Sequence, residues 1–199
     1  MSDAGAPQRI AHRLRTARLV LDLPPPTRDS AAAVCAYYVR NRDHLAPWDP
    51  IRPASFWTEE HWAEALLTHR LQATAGQGYR WWLTRPEAPD HILGAIALNN
   101  VVRGVFQAAH LGYSVDADAQ GQGLMGEAVD AVCRFAFHQL HLHRVMANYM
   151  PRNERSGRLL RRLGFQVEGY ARDYLCIAGR WEDHVLTARV SSRRGAPPR

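Results

Sequence analysis

The sequence predicts an α/β domain built around one sheet, and three observations carry that expectation. Segments that alternate like strands are interleaved with segments of helical periodicity along the whole chain, the pattern of one mixed domain. Past the middle, an apolar stretch from Leu111 to Val115 passes through a polar turn into a glycine-rich loop, and an amphipathic helical pattern follows at once. The chain has 199 residues, 46% hydrophobic and 22% charged, enough for a single domain with a sizeable core.

The elements follow in order. Residues 1–15 are polar and basic and are expected to form a flexible lead-in. The domain is expected to run from residue 16 to residue 190. Leu19, Leu21 and Leu23 alternate as a first strand, which Pro24, Pro25 and Pro26 end. Thr27 or Asp29 can cap a helix from Ala31 to about Arg42. The run Leu45 to Pro50 contains two prolines and cannot be helical throughout. Thr58 can cap a helix that continues to about Ala75 and stops at Gly76 and Gly78. Tyr79–Thr84, Ile92–Asn100 and Ala108–Val115 read as strands. In the next helix Leu124, Ala128, Ala131, Val132, Phe135, Ala136 and Leu140 recur at three- and four-residue spacing. A strand over Arg144–Met150 follows, then a helix from near Asn153 that carries Leu159, Leu160 and Leu163 and ends at Gly164. Two strands, Gln166–Cys176 and Trp181–Val190, turn at Ala178 and Gly179. Residues 191–199 are expected to be a basic tail.

Composition excludes several classes. The chain contains no Lys, so its 25 Lys and Arg residues are all Arg; Schiff-base and pyridoxal-phosphate chemistry need a lysine. Cys35, Cys133 and Cys176 are few, odd in number and far apart, as reduced thiols are. No apolar run approaches the roughly 20 residues that span a bilayer, and Met1–Pro7 lacks the apolar centre of a secretory leader. A cytoplasmic location, no membrane partner and no sequence-specific contact with nucleic acid are expected. The net charge of +6 would favour a polyphosphate ligand or an acidic surface such as a ribosome; codon bias toward Arg explains the composition equally well.

The glycine loop carries the chemistry. Helix N-terminal amides lack internal partners and sit at the positive end of the helix dipole, so they suit an anion, most often a phosphate. A Walker loop requires a Lys that is absent here. Gly121, Gly123 and Gly126 have dinucleotide-fingerprint spacing, but they lie past mid-chain and no acidic residue stands about twenty positions on.

The segment Gln120-Gly121-Gln122-Gly123-Leu124-Met125 resembles the pyrophosphate loop of the GNAT acetyltransferases, with pattern Gln/Arg-x-x-Gly-x-Gly/Ala. Met125 departs from it where a small residue is usual, and Gly126 follows. Asn153-Glu154-Arg155-Ser156 with Arg162-Leu163-Gly164-Phe165 resembles the family's second motif. Gln120–Thr187 is similar to the RimJ-like subgroup, which acetylates the N-terminal alanine of ribosomal proteins. The pieces that carry this include Gly121-Gln122-Gly123-Leu124-Met125, His143-Arg144, Ala147-Asn148-Tyr149-Met150-Pro151 and Asp183-His184-Val185-Leu186-Thr187. The resemblance covers Arg18 to about Val190. It implies a splayed, mostly antiparallel sheet of about seven strands with about four helices, and acetyl-CoA as cosubstrate without a metal. It also implies that Gln120–Gly126 hold the coenzyme phosphates, and that Tyr113, Ser114 and Val115 pair with pantetheine while one of their amides stabilises the oxyanion.

Acyl transfer to an amine needs a neutral amine, an oxyanion stabiliser, a proton for the leaving thiolate and a held donor. Deprotonating an α-amine at pH 7 costs about 1 kcal/mol and a lysine amine about 4.6 kcal/mol, so an N-terminal acetyltransferase can use a weak base or water. The resemblance places Ser156 near the thioester sulfur as the acid; the alternative is a helix-start serine bonding the backbone. Asn153 suits pantetheine amides or the N-cap. Asp173 is the nearest match to the base of RimL-like relatives, with Glu168, His110 and Asn148 on neighbouring strands. Asn148 and Trp48 are expected to border the acceptor, Trp48 from a loop whose family counterpart lies there; packing accounts for the other tryptophans. His138, His141 and His143 lack the further ligand of a zinc site and suit a helix C-terminus. The expected activity is acetylation of a protein N-terminal amine, plausibly that of a ribosomal protein. Its rivals are acetylation of a small amine such as an aminoglycoside or polyamine, and a non-catalytic protein that binds acetyl-CoA.

Overall fold

The structure, a computed structural model, describes residues 13–192; the rest of the expected lead-in and basic tail lies outside the described residues. The described chain forms one mixed sheet of eight strands in the order β1-β2-β3-β4-β5-β6-β8-β7. The strands are β1 Arg13–Arg15, β2 Val20–Asp22, β3 Tyr79–Thr84, β4 Gly94–Val102, β5 Ala108–Val115, β6 Arg144–Met146, β7 Gln166–Ile177 and β8 Arg180–Val190. The helices are α1 Arg28–Arg40, α2 Arg42–Leu45, α3 Glu59–Thr74, α4 Leu124–His138 and α5 Glu154–Arg162. Every strand pair is antiparallel except β5 with β6.

The expected seven strands become eight because Arg13–Arg15, placed by the sequence in the lead-in, pairs with β2 as β1. Its centre, Leu14, packs against the core, a single apolar contact too short to register as a pattern. The single-turn α2 likewise raises the helix count to five. Elsewhere local chemistry sets the boundaries as expected. Thr27 and Thr58 cap α1 and α3 by accepting from Ser30 and His61 amides. Ala178 and Gly179 both have positive φ, 48° and 79°, as the tight turn between β7 and β8 demands.

Both faces of the sheet are covered, and β3 shows how. Its alternation sends Tyr79 and Trp81 to α4, where both rings meet Phe135, and Trp82 to the other face, against Trp62 of α3. Trp62 stacks in turn on Tyr38 of α1, ring centroids 4.5 Å apart. Trp81 and Trp82 are consecutive yet 1% and 2% exposed, so each belongs to a separate half of the core. Truncating either to Ala would cost about 3–5 kcal/mol.

Strands β5 and β6 part early. They pair only through Ala108, Ala109 and His110. Beyond Met146 the chain turns to β8 instead: Ala147 N–H donates to Thr187 O, and Tyr149 exchanges backbone bonds with Val185. This is why the expected strand Arg144–Met150 is only three residues long. Leu111–Val115 keeps its partner β4 on one edge and, among the described residues, has no strand on the other. The opening is therefore built into the sheet.

A buried carboxylate fixes the end of β5. Asp116, 3% exposed, accepts from Arg40 Nε at 2.8 Å, Asn41 Nδ2 at 3.0 Å and Asp118 N–H at 3.0 Å. Asn41 Oδ1 accepts from Ala117 N–H at 2.9 Å. These bonds tie the turn before the glycine loop to the end of α1. Burial pushes the Asp116 carboxyl up, but the bonds from Asn41, Arg40 and Asp118 and the Arg40 charge outweigh it and hold the carboxyl below its ordinary range. A depressed folded-state value contributes stability above the unfolded value, about 3.9, and that contribution is lost as pH falls through the folded value. Asp116→Asn should therefore cost about 1–3 kcal/mol at pH 7. In urea melts the gap to wild type should narrow below about pH 4; an equal gap at pH 7 and pH 3 would show that the charge is irrelevant.

Candidate active site

The opening between β5 and the β6–β8 arm is a cleft of about 1500 Å³, larger than the roughly 300–1,000 Å³ of a site for one drug-sized molecule. One wall is the glycine loop with α4. Gly121 and Gly123 have φ of 73° and 77°, a conformation that glycine takes without strain. Gly123 is the N-cap of α4, with no side-chain cap, and the amides of Leu124, Met125 and Gly126 have no intrahelical acceptor. The acid of the first turn, Glu127, does not oppose an anion there. It is held by Thr16 and by Arg18, whose Nε lies 2.8 Å away, and these bonds outweigh burial to keep its carboxyl low. Met125 points inward, 7% exposed, with its methyl group close to Gly94; the departure from a small residue is absorbed by the core and leaves the loop open.

The facing wall is α5. Arg155, Arg158 and Arg162 line the cleft from one helical face, and Arg155 donates to Gln120 Oε1. Asn153 caps α5 by accepting the Ser156 amide at 3.2 Å, so the helix start does not need the Ser156 hydroxyl. That hydroxyl lies 2.7 Å from Tyr113 OH on β5. Burial raises Tyr113 to about 12, with the Ser156 bond pulling the other way, so the phenol stays protonated. Gly157 brings α5 against Tyr149: a Cβ there would lie 2.7 Å from the ring.

The cleft gathers most of the expected residues. Tyr113, Ser114, Val115, Gln120, Gly121, Gly123, Leu124, Met125, Gly126, Asn148, Asn153, Ser156 and Trp48 all line it. Gln122 does not; its side chain donates to Asp118 O and accepts from Arg85. Ser114 faces α1, its Oγ 2.8 Å from Tyr37 OH. Asp173 is not brought to the cleft lining. It sits in an irregular stretch of β7 with φ 47°, exposed, its amide donating to Asp183. Glu168 pairs with Arg144 at 2.5 Å, and His110 is half-buried with Nδ1 unpartnered. Trp48 carries Arg152 over its ring at 5.2 Å, and Arg152 bridges to Glu182 at 2.9 Å. Among the described residues no group of three or more His, Cys, Asp or Glu could hold a metal.

An Acetyltransferase (GNAT) domain model matches residues 18–166. The chain belongs to the GNAT family of acetyltransferases. It is 47% identical over 176 residues to the [Ribosomal protein uS5]-alanine N-acetyltransferase of Escherichia coli, covering 88% of this chain and 89% of that one. The crystal structure of the ribosomal-protein-S5-alanine acetyltransferase from Vibrio fischeri superposes with a TM-score of 0.86 at 35% identity, over 92% of this chain and 99% of the other. Mycobacterium smegmatis RimJ in complex with CoA-disulfide gives 0.80 at 25% identity, over 90% and 85%. The GNAT chain is thus an acetyl-CoA-dependent N-acetyltransferase. Its residues fit the coenzyme on their own terms: a positive-φ glycine loop, first-turn amides without acceptors, three arginines opposite and an unpaired edge of β5.

The sequence reading quoted Arg155 and Arg162 in the second motif but gave these arginines no role, although 155, 158 and 162 fall at helical spacing. It gave no role to His184, quoted only within the resemblance, and did not single out Tyr38 or Arg80; topology brings all three to the cleft from distant strands and α1. Gly123→Asp places a carboxylate and a Cβ at the αL residue that opens α4. Calorimetry should show acetyl-CoA affinity reduced at least about tenfold, with a stability loss of only about 1–2 kcal/mol from the backbone strain; unchanged affinity would place the phosphates elsewhere.

Proposed function

We propose that this enzyme acetylates the α-amine of a protein N-terminus, in particular the N-terminal alanine of a ribosomal protein. The observation that carries the reading is the 47% identity to the E. coli uS5-alanine enzyme, which extends over almost the whole of both chains. The cost of a neutral α-amine, about 1 kcal/mol at pH 7, makes this acceptor suited to a site whose lining carboxylates, Asp49 and Glu154, are ion-paired.

The coenzyme lies in the cleft with its phosphates at Gln120–Gly126 and its pantetheine along Leu111–Val115, as an added strand would lie. Asn153 keeps Nδ2 free for a pantetheine carbonyl while Oδ1 caps α5. An amide of Tyr113–Val115 donates to the developing oxyanion. Ser156 donates to the departing sulfur, and the Tyr113 phenol satisfies the Ser156 oxygen as it does so. The acceptor enters between Trp48 and Asn148, on the arm of the cleft away from the glycine loop.

Incubation with labelled acetyl-CoA and peptides that begin with Ala, with internal lysines as controls, tests the acceptor: mass spectrometry should place the label on the α-amine. Label on small amines only would overturn the reading. For the acid, Ser156→Ala should lower kcat about a hundredfold, the low end of general acid catalysis because a thiolate leaves readily. Its acetyl-CoA affinity and helix cap should persist, since Asn153 makes the cap. A wild-type kcat under chemistry-limited turnover would remove Ser156 from the mechanism.

A further inference from the structure

The acetylated amine must lose a proton, and the geometry singles out a recipient. Among the described residues lining the cleft, the carboxylates and imidazoles are His44, Asp49, Glu154 and His184. Three are engaged. His44 Nε2 lies 2.7 Å from Gln120 Nε2, at the glycine loop. Asp49 pairs with Arg52 at 2.8 Å, and Glu154 with Arg158 at 2.8 Å. The fourth differs in kind. His184, 4% exposed, has its Nδ1 2.9 Å from the carbonyl oxygen of Glu182. A carbonyl only accepts, so Nδ1 carries the hydrogen in the neutral ring and the lone pair belongs to Nε2. The tautomer is fixed by the backbone, as it is for a histidine that must accept a proton at Nε2.

Position agrees with this. On β8 the neighbouring Val185 bridges to Tyr149. Alternation therefore sends His184 and Asn148 to the other face, away from Tyr149 and α5. Tyr174 joins the two: its ring lies 5.5 Å from that of His184, and its hydroxyl accepts from Asn148 Nδ2 at 3.2 Å. Asn148 is also the residue placed at the acceptor.

We propose that His184 takes the proton of the acceptor amine; the proposal rests on the acetyl-transfer reading of this site. As nitrogen forms its bond to the acetyl carbon, the C–S bond breaks with its electron pair on sulfur. One N–H proton passes to Nε2. The imidazolium releases it to solvent, and the thiolate takes up a proton in its turn, so the products are the amide and the free thiol. The charged groups around the ring come from three elements. Glu182 and Asp183 on β8 are the acids; Arg172 on β7 and Arg152 from the segment after β6 are the bases. Arg152 is bridged to Glu182, and Asp183 feels both Arg172 and His184. Tyr174, Asn148, Tyr149 and Cys176 are the uncharged groups of that arm.

The experiment compares single-turnover rates against pH for wild type, His184→Asn and His184→Gln with a peptide that begins with Ala. Asparagine keeps an amide near Nδ1 for the Glu182 carbonyl and removes Nε2; glutamine keeps bulk at Nε2 without its basicity. Both variants should bind acetyl-CoA like wild type, lose the rise in rate with pH that the imidazole supplies, and fall about 10²-fold at neutral pH. A folded variant with the wild-type rate and profile would overturn the proposal. Nitrogen-15 spectra of histidine-labelled wild type test it without substitution: the hydrogen must sit on Nδ1 at high pH, and the opposite tautomer would sink it. Should the wild type acetylate another amine and not the peptide, the proposed acceptor falls, and the same profiles taken with that amine decide His184 separately.

Discussion

The parting of β5 from β6 after three residue pairs is the constraint on which the rest of the molecule depends. Two competing sets of backbone bonds enforce it. Strand β5 stays with β4 through Val115, while the chain beyond Met146 transfers its bonds to β8. A sheet that kept pairing would have no cleft. The fork is held open from both sides: Asp116 anchors the far end of β5 to α1, and the close approach of Tyr149 to Gly157 seats α5 on the other arm. Binding groups thus come from the same bonds that shape the fold. The free edge of β5, the first turn of α4 and the cap of α5 all have polar groups left over because the sheet splits there.

The charge distribution follows the same division. The net charge of +6 is not spread evenly around the site. Arg155, Arg158 and Arg162 line the cleft opposite the glycine loop; the acid of the first turn of α4, Glu127, is already held by Arg18, as Glu154 is by Arg158. At the other arm the charges are paired, Arg152 with Glu182 and Arg52 with Asp49. One end of the cleft would therefore attract an anion, while the charges of the other arm nearly balance.

Local chemistry made much of this legible before any fold was known. The caps Thr27, Thr58 and Asn153, the glycine loop, the turn at Ala178 and Gly179 and the stripe of α4 are contained within a few residues each, and all stand where the sequence puts them. Long-range facts were not legible. That Arg144–Met150 would divide between two partners depends on β8, about forty residues later. The pairing of Ser156 with Tyr113 depends on the angle of the fork. Asp173 was placed by likeness to a relative's motif, but it lies in an irregular stretch of β7 and is exposed, outside the cleft lining.

Hydrogen exchange of the backbone, with and without acetyl-CoA, tests the fork most directly. If the coenzyme completes the split sheet, the amides of Leu111–Val115 along its free edge and of Gly121–Gly126 at the helix start should exchange more slowly in the complex. Those of β1 and β2 should exchange as before. Saturating coenzyme that leaves both segments unprotected, while slowing exchange elsewhere in the chain, would contradict it.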